Sequence, residues 1–188
     1  MSTDEAPPLG TLRIVLPKGV KAALSGRRLK VTGPKGSLRR EFPVEAIAFS
    51  CGPEGVELKL LLPPERKKAK ALLHTWERHL GNLVSGVTHG FEAKMKSVAA
   101  HFPMKLSVKD GTLLIENFLG EKFPRTAALL PGVQATVEGE FVLLRGADIE
   151  EVGRCAATIE RTTRIRDYDP RVFQDGIYLV ERAHPMGN

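Results

Sequence analysis

The chain has 188 residues, room for one mid-sized domain or two small ones. Hydrophobic residues make up 42%, charged residues 27% and aromatics 6%, a composition that excludes disorder, collagen or a coiled coil as a reading of the whole. Its 28 Lys and Arg against 22 Asp and Glu give a net charge of +6, and that surplus is uneven. Met1–Gly90 carries 15 basic and 8 acidic residues, whereas Phe91–Asn188 carries 13 and 14. No acid stands between Glu5 and Glu41, while Arg13, Lys18, Lys21, Arg27, Arg28, Lys30, Lys35, Arg39 and Arg40 all do. A polyanionic partner is the first expectation.

Apolar runs such as Leu60-Leu61-Leu62 are far below the ~20 residues of a membrane helix. No basic-then-apolar leader is visible, and Cys51 and Cys155 suggest neither a disulfide framework nor a metal cluster. An intracellular, reduced protein with no membrane partner is expected.

In chain order, strand patterns run over Leu12–Leu16, Val20–Leu24 and Leu29–Thr32. After the loop Gly33-Pro34-Lys35-Gly36 come Ser37–Phe42, Ala46–Ser50 and Val56–Leu62. Pro63-Pro64 then opens a helix, with Pro64 suited to its first position. Leu72, Leu73, Trp76, Leu80, Leu83, Val84 and Val87 give that helix one apolar face. In the second half the same order returns: Lys105–Lys109, the turn Asp110-Gly111, Thr112–Glu116, then strands near Gln134–Glu138 and Phe141–Arg145. A second helix follows, capped by Asp148 with Glu151 in a capping box, its stripe made of Ile149, Val152, Cys155, Ala156 and Ile159. Gly26 to Gly111 and Val56 to Phe141 are both offset by 85 residues, the mark of an internal duplication.

The fold class is therefore α+β: two homologous small units, each an antiparallel-rich β-sheet packed against one helix. The expected boundaries are an N-terminal extension (1–11), a first repeat (12–86), a second repeat (87–182) and a C-terminal tail (183–188). Leu, Val and Ile carry most burial, and Phe102, Phe118, Phe123 and Phe141 are read as core or interface packing rather than base platforms. The paired aromatics of an RNA-recognition-motif sheet are missing.

No catalytic constellation stands out. His74 and His79 lie five apart on the first helix, not the four that share a face in a zinc protease. Gly33–Gly36 lacks the spacing and the Ser or Thr of a P-loop, and there is no G-x-S-x-G or G-x-G-x-x-G. No enzyme activity, cofactor or metal is expected. The basic residues are more suggestive. Arg66, Lys67, Lys68 and Lys70 crowd the start of the first helix, where its dipole disfavours cations. Arg161, Arg164, Arg166 and Arg171 follow the second helix, interrupted by Asp167 and Asp169, which could pair with some of them. Arginine's planar fork grips phosphate and stacks on bases.

Three stretches go beyond composition: Gly86–Pro103 (GVTHGFEAKMKSVAAHFP), Asn117–Lys122 (NFLGEK) and Arg171–Tyr178 (RVFQDGIY). In this order, from about Leu12 to Arg182, the chain resembles the universal large-subunit ribosomal protein six family, numbered nine in eukaryotic ribosomes. The third motif, Arg-x-Phe-x-Asp-Gly-Ile-Tyr, is that of the archaeal and eukaryotic branch, where bacterial members carry Lys-Gly-Lys-Gly. Two positions depart from that branch: Arg161 stands where Gln is usual, and Tyr168 where Lys or Arg is usual.

The resemblance implies a structural constituent of the large subunit in the cytoplasm, without catalysis or cofactor. It implies binding to large-subunit rRNA, mainly through the second unit, close to the sarcin–ricin loop and the stalk base. Neighbouring ribosomal proteins and nearby translation factors are the other partners, and no homo-oligomer is expected. The candidate RNA-binding residues are Arg161, Arg164, Arg166, Arg171, Lys94, Lys96 and Lys105. A secondary contact region comprises Lys18, Arg27, Arg28, Lys35, Arg39 and Arg40. Asp175-Gly176 is read as a turn in which Gly176 takes a positive φ, with Phe173 and Tyr178 anchoring the C-terminal segment. The alternative is a non-ribosomal RNA-binding regulatory protein of the same charge.

Overall fold

In the computed structural model, which describes residues 11–42, 47–52, 55–61, 67–169 and 171–187, the chain divides into two units, Met1–Thr88 and His89–Asn188. The first holds β1 (Thr11–Val15), β2 (Lys21–Ser25), β3 (Arg28–Gly33), β4 (Gly36–Glu41), β5 (Ile47–Cys51), β6 (Gly55–Leu60) and α1 (Lys67–Thr88). Its strands form two antiparallel sheets, β1-β6-β5 and β2-β3-β4. Period-two alternation decides the inner faces: β3 buries Leu29 and Val31, and β6 buries Val56, Leu58 and Leu60. Over these α1 lays Leu73, Leu80, Leu83, Val84 and Val87, with Leu72 and Trp76 at the margin. The face expected from three-to-four spacing is thus the buried one, while Pro64, its expected start, lies outside the described residues.

The second unit holds β7 (Phe91–Val98), β8 (Lys105–Lys109), β9 (Thr112–Glu116), a 3-10 turn (Phe118–Gly120), β10 (Arg125–Ala128), β11 (Val133–Glu138), β12 (Phe141–Gly146), α2 (Ile149–Thr162) and β13 (Gly176–Pro185). Its sheets are β10-β9-β8 and β11-β12-β7-β13. The duplication is visible strand by strand. The order β1-β6-β5 recurs as β7-β12-β11, β2-β3-β4 recurs as β8-β9-β10, and each set is followed by its helix. Among the described strands β13 alone has no counterpart; it pairs with the free edge of β7, with irregular register after Leu179 and again after Glu181. Each unit thus divides its strands between two sheets, and β7, β10 and β13 are strands the sequence patterns did not single out.

Other expectations need correction. Of the phenylalanines expected in the core or at an interface, Phe118 is fully buried, whereas Phe123 is 84% exposed and Phe102 42% exposed, which removes the core alternative for those two. Cys155 is buried and Cys51 only partly so; burial pushes the Cys51 thiol up from its ordinary value. Asp148 does cap α2, but its carboxylate accepts the N–H of Glu150 at 2.8 Å, and no return bond from Glu151 completes a capping box among the described residues.

Candidate nucleic-acid interface

The Asn117–Lys122 stretch builds the support of the site. Asn117 (φ +59°) and Leu119 (φ +50°) both take the left-handed conformation, and Asn117 Nδ2 donates to the carbonyl of Pro103 at 3.0 Å. That sharp turn buries the Phe118 ring and brings Glu121 against Arg125. The carboxylate accepts both Nε (2.9 Å) and Nη2 (2.6 Å) of Arg125. The hydrogen bonds from that guanidinium hold the Glu121 carboxyl below its usual value. The other nitrogen, Nη1, donates to the carbonyls of Thr162 (2.8 Å) and Arg164 (3.1 Å), while the guanidinium lies 4.1 Å over the Phe118 ring. A cation at the C-terminus of α2 satisfies carbonyls that the helix itself leaves open. Arg125 therefore fixes the backbone from which Arg164 projects, a role with no local sequence signal.

Beyond α2 the chain runs irregularly to β13. Thr163, buried, donates to the carbonyl of Ile159 at 3.2 Å and accepts the N–H of Ile177 at 3.1 Å. Glu160 Oε1 accepts the N–H of Leu179 at 2.8 Å, so the helix end and β13 are tied twice. Asp169 caps the next turn: its carboxylate takes the Arg171 N–H (2.9 Å), and its carbonyl takes those of Val172 and Phe173. The carboxylate of Asp175, 1% exposed, accepts the backbone N–H of His101 at 3.0 Å and meets His101 Nδ1 at 2.6 Å. Burial acts to raise its pKa, but the bonds from the ring and backbone of His101, its charge, and the Ala100 N–H outweigh that and hold the carboxyl below its ordinary value. The Phe173 ring stacks on His101 (centroids 4.4 Å apart) and meets Tyr168 at 4.7 Å.

Gly176 corrects its expected role. It is not among the residues with positive φ. A Cβ there would instead lie 2.9 Å from the Tyr178 ring, whose hydroxyl donates to the Gln174 carbonyl at 3.1 Å. The glycine makes room for the tyrosine.

Against this frame the expected contact residues separate into kinds. Arg161, Arg164, Arg166 and Arg171 are all exposed. Arg161 leans on its own helix, donating to the Ala157 carbonyl at 3.2 Å and to Thr158 Oγ1 at 3.4 Å. None of the four has a carboxylate partner among the described residues; Asp169, which could have supplied one, holds backbone N–H groups instead. The lysines differ. Lys94 lies 3.7 Å from Glu181 and over Phe141, Lys96 lies 3.6 Å from Glu140, and Lys105 lies 3.8 Å from Glu116.

In the first unit, Lys18 and Arg27 are exposed beside the β2 and β3 termini, and Arg28 is paired with Glu41. Lys35, at the tip between β3 and β4, donates its backbone N–H to the Val87 carbonyl at 2.8 Å. A Cβ at Gly33 would lie 2.8 Å from that carbonyl, so the Gly-Pro-Lys-Gly stretch is a turn docked on the end of α1. Arg39 projects from the outer face of β4 directly opposite Lys30, whereas Arg40 is half-buried on the other face. Arg66 lies outside the described residues; Lys67, Lys68 and Lys70 are exposed. His74 is a surface residue paired with Glu77 at 3.0 Å. No cluster of His, Cys, Asp or Glu able to hold a metal occurs among the described residues, and no helix there is long and apolar enough to cross a membrane.

The family model described as Ribosomal protein L6 matches this chain twice, over residues 16–90 and 102–176. Curated relatives named large ribosomal subunit protein uL6 align over most of both chains. The proteins of Methanospirillum hungatei and Methanosarcina mazei are each 44% identical over 170 residues, 90% of this chain and 96% of theirs. That of Ignicoccus hospitalis is 42% identical over 170 residues, 89% of this chain and 91% of its own.

Proposed function

The chain belongs to the ribosomal protein L6 family, a structural and non-enzymatic family of the large ribosomal subunit, and from that premise we propose that its second unit grips large-subunit rRNA through the arginines following α2. Arg164, Arg166 and Arg171, with Arg161 at the helix end, are the main phosphate contacts; Lys94, Lys96 and Lys105 flank them. The outer face of β2-β3-β4, with its bordering Lys18, Arg27 and Lys35, is a secondary contact. The bound rRNA lies close to the sarcin–ricin loop and the stalk base, where the protein supports the translation-factor region in cytoplasmic ribosomes and abuts neighbouring ribosomal proteins. These placements rest on the family resemblance; the arginine assignment rests on this chain.

The observation that carries it is the contrast in partners. Lys94, Lys96 and Lys105 already lie beside carboxylates, while Arg161, Arg164, Arg166 and Arg171 have none among the described residues, and a group of unneutralised guanidiniums on one short segment is what a run of phosphates would neutralise. Each phosphate contact contributes about 0.7–0.9 to the slope of log affinity against log salt. Replacing Arg166 by Ala is therefore expected to weaken binding of the full chain to large-subunit rRNA and to flatten that slope by about one contact's worth; an unchanged slope removes Arg166 from the interface. Sedimentation of a lysate through a gradient tests the assembly. Stoichiometric co-migration with the large subunit at roughly 0.5 M salt, where a purely electrostatic hold on a few phosphates fails, is expected. Release at modest salt would identify a transient RNA-binding factor instead.

A further inference from the structure

Between the end of α2 and the start of β13 lies an open cleft of about 640 Å³, within the roughly 300–1,000 Å³ range of small-ligand sites. Resting on the rRNA-binding reading above, we propose that this cleft takes a single unstacked nucleotide of the RNA, its base against the apolar floor and its phosphate on the arginine rim.

A track for phosphates alone needs cations and nothing else. Here Arg161 and Arg164 stand at the edge of a floor made by Ala157, Ile165 and Ile177, walled by the rings of Phe173 and Tyr178. Those walls are fixed. Phe173 is backed by the His101 ring, which Asp175 holds from behind, and the Tyr178 hydroxyl is tied to Gln174. Of the other polar groups lining the cleft, Thr163 is engaged with Ile159 and Ile177, and Glu160 Oε1 with the Leu179 N–H. The Gln174 amide remains, with both a donor and an acceptor and no partner among the described residues, as the group able to read a base edge. A flat apolar body with a polar rim and an attached phosphate is an unstacked nucleotide, and sequence-specific RNA recognition takes such splayed bases from loops and bulges.

Ala157 is exposed on α2 and lines the cleft, so Ala157→Leu fills the floor with a good helix former and leaves every arginine in place. The full chain, wild type and variants, is titrated with large-subunit rRNA at several salt concentrations, and the complexes are probed with base-directed reagents. Loss of one stacked base is worth roughly a 5- to 150-fold loss of affinity. The expected result is a loss in that range for Ala157→Leu with the salt slope unchanged. One nucleotide shielded in the wild-type complex becomes reactive, and Gly153→Ala, on the same helix but outside the cleft, behaves as wild type. Equal affinity and identical reactivity for Ala157→Leu overturn the proposal while leaving the phosphate reading intact; failure of the wild-type chain to bind the rRNA overturns both. Should Ala157→Leu lose its circular dichroism signature, cross-linking of the wild-type chain to 4-thiouridine-substituted rRNA decides. Adducts on Phe173 or Tyr178 support the cleft, and adducts confined to other residues overturn it. Cross-linking of the cleft to a neighbouring ribosomal protein in intact subunits overturns it as well.

Discussion

The hairpin that closes tightly in the first unit opens in the second. β3 and β4 are joined by Gly33-Pro34-Lys35-Gly36, whereas the equivalent β9 and β10 are separated by residues 117–124, room enough for the Phe118 turn and the Glu121–Arg125 pair. The second unit also adds β13, and with it the arginine segment. The same arrangement is thus a plain basic sheet in one copy and carries a longer β9–β10 connection and an extra strand in the other. Net charge points the opposite way: the first half is positive and the second slightly negative. The difference lies in where the acids are. In the second unit Glu121 holds Arg125, Glu160 and Asp169 hold backbone N–H groups, and Asp175 is buried on His101. Carboxylates bound internally leave nearby surface arginines available, which a sum over residues cannot register.

The largest break in that comparison is expected at Phe118, which the first unit lacks. Phe118→Ala removes a fully buried ring and the surface under Arg125, and such truncations cost about 3–5 kcal/mol. Urea unfolding of the second unit measures it; a cost under about 1 kcal/mol would mean the turn is not what holds the extension together. A smaller loss is expected for Arg125→Ala, about 1–3 kcal/mol for a charged group donating to two helix-terminal carbonyls. Because it loosens the backbone of Arg164, rRNA affinity is expected to fall with it. Arg125→Lys, which cannot span Glu121 and both carbonyls at once, is expected to rescue stability only in part.

The Asp175 pair sharpens the comparison through pH. Its carboxyl is held below the ordinary value in the folded state, so it contributes stability that is present above the unfolded carboxyl pKa and lost as pH falls through the lowered folded value. Acid unfolding of the second unit is expected to show this loss, and Asp175→Asn to flatten it while lowering stability at neutral pH. A variant with an unchanged acid limb would show that other carboxylates govern it.

Much of this fold is legible in the sequence because alternation and helical spacing are local. Lys105–Lys109 and Thr112–Glu116 are found at the expected residues, and both helices bury the expected stripes. β7 carries clear alternation, with Phe91, Ala93 and Met95 buried, yet the strand reading of the second half begins only at Lys105. β10 has only Arg-Thr-Ala-Ala, which has little strand propensity of its own and is defined by its pairing with β9. The site is less legible than the fold. The arginines show as a cluster, but Arg125 reaches Arg164 across 39 residues and His101 meets Asp175 across 74, separations at which no spacing rule operates. Gly176 shows the same limit: the residue type signals that a Cβ is excluded, and only the Tyr178 ring beside it says why.

The smallest expected effect tests the plain sheet of the first unit. On its outer face Lys30 pairs directly with Arg39, while one step along, Arg28 is matched with Glu41. Like charges directly opposite on a sheet are destabilising, typically within the 0.2–1 kcal/mol range of cross-strand pairs. Arg39→Thr removes that repulsion with a residue that favours strands, and is expected to raise stability by a few tenths of a kcal/mol. If the face is a secondary phosphate contact, the same change lowers the salt slope of rRNA binding by about one contact, roughly 0.7–0.9. Stability and binding then move in opposite directions at one residue, as expected where a fold keeps a repulsive pair for an anionic partner to neutralise. A gain in stability with an unaltered salt slope would confine phosphate recognition to the second unit and make the contrast between the two copies complete.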